Sequence, residues 1–178
     1  MKFKKFKFKK VKSTNNTALR IIKYSNFTLG MVISETQTKG KGQYGREWIS
    51  PKGNLFISFF SELNNPNLSI KTITKKNCLL VKKTLSKFTN KKILFKKPND
   101  LLIKKKKISG ILQEVVTKAD KKFLITGIGI NINKNPKIKN YPITNLQELV
   151  KKSISKIEVE NKLKQIFEKN LSKLYKIN

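Results

Sequence analysis

Gln37-Thr38-Lys39-Gly40-Lys41-Gly42-Gln43-Tyr44-Gly45-Arg46-Glu47-Trp48 leads through Ile49-Ser50-Pro51-Lys52-Gly53 into Asn54-Leu55-Phe56-Ile57-Ser58-Phe59-Phe60, and the rest of the chain is organised around that passage. Glycines at 40, 42 and 45 let a backbone take positive φ and approach another group closely, while Lys39, Lys41 and Arg46 surround it with positive charge. Such a loop suits a phosphate. It is not a Walker loop, because no Gly-Lys-Ser/Thr ends it, nor a dinucleotide fingerprint, because a β-rich apolar run follows where a helix would have to start. Stretches of this composition are commonly plain solvated loops; the single Trp and the Ser50-Pro51 turn count against that reading without removing it.

Working outward, the loop joins a strand over 28 to 34 to the strand over 55 to 60. Upstream, residues 2 to 12 set Phe6 and Phe8 on one face among lysines, which predicts an edge strand protected from aggregation. Ser13-Thr14-Asn15-Asn16 supplies N-cap chemistry for a short helix carrying Ala18, Leu19, Ile21 and Ile22. Downstream, the apolar spacing over 69 to 88 predicts a long helix. Ile93-Leu94-Phe95 reads as a strand that runs into a turn fixed by Pro98, with Asn99 and Asp100 at its exit. Residues 101 to 103, a turn of four lysines and residues 108 to 116 read as a hairpin interrupted at Ser109-Gly110. Residues 123 to 132 form a further strand whose Gly127-Ile128-Gly129-Ile130 alternation leaves one bare face, open either to a flat ligand or to tight sheet packing. Helical segments are expected at 145 to 150 and 157 to 174, the latter with Val159, Leu163, Ile166, Phe167, Asn170 and Leu174 on one stripe. The resulting class is α+β, with one domain over the 178 residues.

Composition narrows the chemistry. Lys+Arg 41 against Asp+Glu 10 gives a net charge of +31, which ordinarily points to nucleic acid or an anionic surface. Arginine occurs only at 20 and 46, however, and the lysines are spread along the chain, so the charge reads as compositional drift with weak, salt-dependent polyanion binding. With no His and one Cys, Ser-His and Cys-His catalysis, His-ligated metals and an internal disulfide are excluded. Cys78 falls in a helical apolar pattern and reads as a buried structural thiol. No apolar run reaches membrane-spanning length and no signal peptide is evident, so a cytoplasmic protein is expected. Asp100 is one of only ten acidic residues, and a carboxylate at a tight turn could hold Mg²⁺, or could simply close an Asx turn or pair with a lysine.

Six motifs in order resemble those of the biotin protein ligases, within the biotin/lipoate ligase superfamily. Residues 37 to 48 are similar to the family's Gln-x-x-Gly-Arg-Gly-Arg-x-Gly-Arg-x-Trp, Lys96-Lys97-Pro98-Asn99-Asp100 to Lys-Trp-Pro-Asn-Asp, and Lys107-Ile108-Ser109-Gly110-Ile111-Leu112-Gln113-Glu114 to Lys-x-x-Gly-Ile-Leu-x-Glu. Ser13-Thr14-Asn15, Gly127 to Asn131 and Pro142-Ile143-Thr144-Asn145-Leu146 match further signatures, so the likeness spans roughly residues 10 to 150 and is far more specific than any single motif. It implies a mixed, largely antiparallel sheet flanked by helices, as in the class II aminoacyl-tRNA synthetase-like ligase domain. It also implies ATP-dependent formation of biotinyl-5′-AMP and transfer to a lysine of the biotin carboxyl carrier protein of acetyl-CoA carboxylase.

Carried over position by position, the resemblance puts Ser13, Thr14, Asn15, Gln37, Gly40, Gly110 and Leu112 around biotin. Lys41, Gly42, Gln43, Gly45, Arg46, Trp48, Asn99 and Asn131 fall around ATP and the adenylate, with Trp48 as an apolar lid and Asp100 on Mg²⁺. Arg46 and Lys107 become the catalytic cations, Lys107 bridging the biotin carboxylate and the α-phosphate. Three departures accompany it. The usual loop arginines are Lys41 and Gln43, the family Trp before Pro-Asn-Asp is Lys97, and an acidic residue common before Ser-Thr-Asn is Lys12. Neither N-terminal DNA-binding helices nor a C-terminal β-barrel domain is evident, so no specific DNA and no membrane partner is expected, and the chain would act as a monomer or homodimer. Competing readings are a lipoate ligase or lipoyl/octanoyl transferase of the same fold, a basic nucleic-acid-binding module, and a homologue that folds without turnover.

Overall fold

Period-2 apolar runs and two helical stripes assemble into one seven-stranded sheet with helices on both faces, in a computed structural model that describes residues 1–63, 69–138 and 141–171. The elements in chain order are β1 (Lys4–Val11), α1 (Thr14–Tyr24), β2 (Leu29–Gln37), β3 (Leu55–Glu62), α2 (Ile70–Leu85), β4 (Ile93–Lys96), β5 (Asp100–Ile103), β6 (Lys106–Lys118), β7 (Lys121–Ile130) and α3 (Lys156–Glu168). The strand order is β1-β2-β3-β7-β6-β5-β4; only β1 and β2 run parallel, so the sheet is mixed and largely antiparallel as the sequence predicted.

Alternation along the central strands decides which helix covers which face. Leu55, Ile57 and Phe59 of β3 and Leu124, Ile128 and Ile130 of β7 join a large core with Ile73, Val81 and Leu85 of α2 and Val159, Leu163 and Phe167 of α3. Phe59 lies between Phe3 and Phe167, with ring centroids 4.6 and 4.5 Å away. On the other face Phe60, Phe123 and Ile125 meet Ala18 and Ile22 of α1 in a smaller core. At 11 residues α1 covers only part of that face. Beyond it the bare positions Gly127 and Gly129 of β7 and Gly110 of β6 remain for other groups.

The helix starts follow their caps: Ser13 Oγ accepts from Asn16 N–H and Ser69 Oγ from Thr72 N–H. β1 is the expected edge strand, with Phe6 packed on the smaller core and Phe8 exposed at its open end. Cys78 is fully buried, as expected of a structural thiol.

Three expectations are corrected. Residues 145 to 150 supply a single 3-10 turn, Gln147–Leu149, because the Asn145 side chain caps Glu148 N–H at 3.0 Å while Gln147 is drawn off to Lys152 O and Ile154 N–H. α3 ends at Glu168, and Leu174 lies outside the described residues. The turn of four lysines shrinks to two, Lys104 and Lys105 at φ 48° and 63°, because Ile103 already pairs with Lys106. Lys106 and Lys107 therefore belong to β6.

Candidate active site

The bare glycine face is the floor of a cavity of about 560 Å³, walled by the 37–48 loop and by residues 96 to 100 together with Pro136, Ile138, Tyr141 and Ile143. The loop closes on itself as a small ribbon: Gly42 N–H donates to Arg46 O at 2.7 Å, Trp48 N–H to Gly40 O at 2.9 Å, and Lys41 bridges to Glu47. At its tip Tyr44 and Gly45 take φ of 56° and 73°, with Tyr44 almost fully exposed. Gly40 is needed for space: an added Cβ would stand 2.3 Å from Trp48 O.

That ribbon drops Trp48 onto the sheet. Gly110 and Gly129 are register partners across β6 and β7, and a Cβ on either would fall 2.7 and 2.3 Å from the indole. The bare face thus receives a flat group, and in this structure the group is Trp48. Gly127 on the same strand face lies under the Asn15 amide, whose Oδ1 is 2.3 Å from where a Cβ would be.

Lys107 reaches this floor through a register shift between β5 and β6, where Leu101 pairs with Ser109 but Leu102 with Lys107. The extra residue puts Ile108 and Ile111, three apart, into the same core and leaves Lys107 on the face of Gly110. Its ammonium lies 2.8 Å from Asp100 Oδ1, with side-chain exposures of 20% and 13%. The contact is a charge pair without an aligned hydrogen bond, since Oδ1 is buried with no hydrogen-bond donor among the described residues. The rings of Trp48 and Tyr141 flank the ammonium at 5.1 and 5.3 Å.

A second set of groups sits across the cavity. Thr14 N–H and Oγ1 both donate to Gln37 Oε1, at 2.8 and 3.1 Å, and Gln37 Nε2 donates to Ser50 Oγ at 2.9 Å, so the Gln37 amide is oriented at both ends. Ser58 Oγ stands 2.7 Å from Thr14 Oγ1 and 2.5 Å from Asn15 Oδ1, and Asn15 Nδ2 donates to Glu114 Oε2 at 2.7 Å. Glu114 in turn faces Lys41 of the loop at 3.8 Å. One chain of polar contacts therefore links the start of α1, the end of β2, the loop and β6.

The structure brings the motif residues together. Ser13, Thr14, Asn15, Gln37, Lys41, Gly42, Gln43, Arg46, Trp48, Asn99, Asp100, Lys107, Gly110, Leu112 and Asn131 all line the cavity, whereas Gly40 and Gly45 act behind it by shaping the loop. Two of them are already engaged. Asn99 Nδ2 donates to Ile111 O at 2.8 Å, and Asn131 Nδ2 donates to Thr144 O at 3.3 Å while its Oδ1 accepts from Asn54.

Known proteins resemble this chain in sequence and fold. The sequence profile of the biotin/lipoate A/B protein ligase family matches residues 7–131. The chain belongs to that family. It is 34% identical over 102 residues to the bifunctional ligase/repressor BirA of Escherichia coli, covering 56% of this chain and 32% of BirA. Against BirA of Bacillus subtilis it is 31% identical over 126 residues, 70% of this chain and 39% of that protein. The chain thus spans well under half the length of these relatives. The biotin protein ligase from Aquifex aeolicus, solved in complex with biotin and ATP, superposes with a TM-score of 0.80 at 31% identity over 97% of this chain and 72% of the other. A lipoate complex of Plasmodium falciparum LipL1 shares the fold at a TM-score of 0.59 and 16% identity.

For this ligase-family chain the donor set at Asp100 does not fit a resident Mg²⁺. Oδ1 faces the Lys107 ammonium and Oδ2 accepts the Tyr141 hydroxyl at 2.9 Å, so both oxygens already face a cation or a donor of this chain. The carboxylate serves the lysine. Three contributors to the site carry no motif signal. Asn54 is fully buried, its Oδ1 accepting three N–H groups of Ile132, Asn133 and Lys134 at 3.0 to 3.1 Å, which fixes the chain leaving β7. Ser58 interrupts the apolar alternation of β3 beneath α1, a local irregularity that could have marked it. Tyr141 comes from a stretch with no periodicity. No helix among the described residues is long and apolar enough to cross a membrane.

Proposed function

We propose that this chain activates biotin with ATP as biotinyl-5′-AMP and then transfers the biotinyl group to a lysine of the biotin carboxyl carrier protein of acetyl-CoA carboxylase. The observation that carries the reading is the Lys107 ammonium, set over Gly110 between two aromatic rings in the same cavity as the Thr14–Gln37 pair and the 37–48 loop. BirA of Escherichia coli and of Bacillus subtilis is named a ligase, and the Aquifex aeolicus protein holds biotin and ATP.

In the first step a biotin carboxylate oxygen attacks the α-phosphorus and pyrophosphate leaves. Both reactants are anions, so the barrier is dominated by charge, and each well-placed cation or donor contributes on the order of a hundredfold in rate. In this reading the Lys107 ammonium bridges the biotin carboxylate and the α-phosphate. That ammonium lies 2.8 Å from Asp100 Oδ1 and lines the cavity, so incoming oxygens can compete for its N–H donors. Arg46 and Lys41, both exposed on the loop, neutralise the phosphates as the ribbon settles over them. Thr14 and Gln37 offer the biotin ring an oriented hydroxyl and amide. A Mg²⁺ carried in by the nucleotide would add charge neutralisation at the phosphates, and no residue of this chain is assigned to it.

In the second step the carrier amine attacks the acyl carbon and AMP leaves. The adenylate must be kept from water meanwhile, and the Trp48 indole closing the glycine floor serves that end. Purified protein is incubated with biotin, MgATP and a biotin carrier domain, with lipoate in a parallel reaction, and the carrier is weighed by intact mass. An ATP-dependent adduct of biotin mass is expected. A lipoate adduct alone moves the chain to the lipoate branch of its family, and no adduct with either acid from folded protein refutes the activity.

A further inference from the structure

Tyr141 lies outside every motif used above, yet it completes the surroundings of Lys107. Its hydroxyl donates to Asp100 Oδ2 at 2.9 Å, and its ring lies 5.3 Å from the Lys107 ammonium, which also lies 5.1 Å from the Trp48 ring. The Tyr141 ring also meets the Lys96 ammonium, 5.1 Å from its centroid and 3.4 Å from the hydroxyl. The backbone explains why the ring is there. Lys107 N–H donates to Pro142 O at 2.8 Å and Thr144 N–H to Lys107 O at 3.0 Å, so the segment carrying Tyr141 is bonded to the residue whose side chain the ring touches.

A carboxylate with a free second oxygen could rotate and take two ammonium hydrogens, pulling Lys107 down toward β5 and away from substrate. Tying Oδ2 to a phenol removes that option. Burial, then the hydrogen bond to Asp100, pushes the Tyr141 hydroxyl up to about 12, so it remains a donor throughout the neutral range. Trp48 is carried by the 37–48 loop, whereas Tyr141 is anchored to the sheet through Lys107 itself.

We propose that Tyr141 is the positioning residue for Lys107, holding Asp100 by its hydroxyl and the ammonium by its ring so that the lysine's donors face the cavity. This rests on the ligase reading given above. The residue acts through Lys107 and Asp100 and touches no reacting atom.

The full chain is compared with Tyr141→Phe, which keeps the ring, and Tyr141→Leu, which removes both contacts. Two measurements are made. Brief acetylation with an amine-reactive reagent, read by peptide mass spectrometry, reports Lys107 against the exposed Lys104 and Lys105 whatever reaction the protein catalyses. Loss of the ring contact in Tyr141→Leu should raise Lys107 labelling about threefold, the equivalent of one cation–π contact. Biotin-dependent exchange of pyrophosphate into ATP reports the first step. Loss of a hydrogen bond to a charged group predicts a kcat about tenfold lower in Tyr141→Phe, with KM for biotin and ATP within about twofold of wild type. Conversely, unaltered labelling in Tyr141→Leu together with unaltered kcat per folded molecule in Tyr141→Phe overturns the proposal, and a lowered melting temperature alone would make Tyr141 merely structural. Absence of exchange in the wild type refutes the ligase reading, and the labelling result then decides the positioning role on its own.

Discussion

Gly110 and Gly129 face each other across β6 and β7, and the Trp48 indole rests on both. The contact sets a side chain from a surface ribbon against the centre of the sheet. A methyl group at Gly129 would meet indole carbons at 2.3 Å. Because the ring can lift with its loop, Gly129→Ala should cost only about 1 kcal/mol, at the low end for overpacking. The site should suffer more. Trp48 is the only tryptophan, so its emission reports the displacement directly. A red-shifted maximum and at least a tenfold loss of adenylate formation are expected, from the misplacement that such a shift imposes. An unshifted maximum would mean that the indole does not rest on the glycines in solution.

Removal of Lys107 tests the first step. Lys107→Ala should lower pyrophosphate exchange by about a hundredfold or more, the loss expected when a preorganised cation leaves the developing charge. The pair with Asp100 is part-exposed, so stability should change by no more than about 1 kcal/mol. Circular dichroism and thermal melting alongside the exchange assay separate the two effects. Unchanged exchange in a folded variant would remove Lys107 from the mechanism.

Asn54 predicts a stability effect with little direct bearing on chemistry. Its Oδ1 takes three backbone N–H groups and its Nδ2 donates to Asn131 and Lys134, all within a buried setting. Asn54→Ala leaves those donors without a partner, which should cost about 3 kcal/mol in urea unfolding. Asn54→Asp retains the acceptor and should recover part of the loss. A change below about 1 kcal/mol for the alanine variant would show that water replaces the amide.

The buried thiol gives a pH signature. Burial first, and then the Asp100 charge, pushes Cys78 from 9.0 up to about 12 in the folded protein. A raised folded value means that the folded state holds the proton more tightly, so the stabilisation is complete below pH 9 and is lost as pH rises toward about 12. The many lysines also titrate there, so the comparison is with Cys78→Ala: the stability gap between wild type and variant should narrow between pH 9 and 11. In the native protein at pH 8, Cys78 should resist thiol reagents and should react on unfolding. A gap independent of pH would contradict the burial seen in the structure.

Much of the fold is legible residue by residue. Ser13 announces α1 because a cap is a local interaction, satisfied within three residues of chain, and the helical apolar spacing over 69 to 88 announces α2. The continuous β-rich apolar run at 55 to 60 and the glycine–isoleucine alternation at 127 to 130 announce β3 and β7, again from neighbouring residues alone. Residues 145 to 150 mislead because Asn145 and Gln147 have helix-compatible neighbours but spend their side chains on bonds that stop the helix after one turn. At the site, the ordered motifs identify nearly every cavity-lining residue. Asp100 was legible as a functional carboxylate, but its partner was not, since a Lys-Asp pair and a metal ligand present the same residue in sequence.

Taken by itself, the sequence determined what periodicity and local chemistry can encode: which segments are strands, which glycines leave a face bare, and which polar residues stand near the loop. Tertiary structure decided where those groups point. The shifted register between β5 and β6 turns Lys107 to the face of Gly110, and strict alternation along β6 alone would have set Lys107 and Gly110 on opposite faces. The pairing of residues 142 to 144 with Lys107 brings Tyr141 to a lysine 34 positions away. Alternation is a property of one strand, whereas register belongs to a pair, and a bond between distant strands leaves no periodic trace in either one.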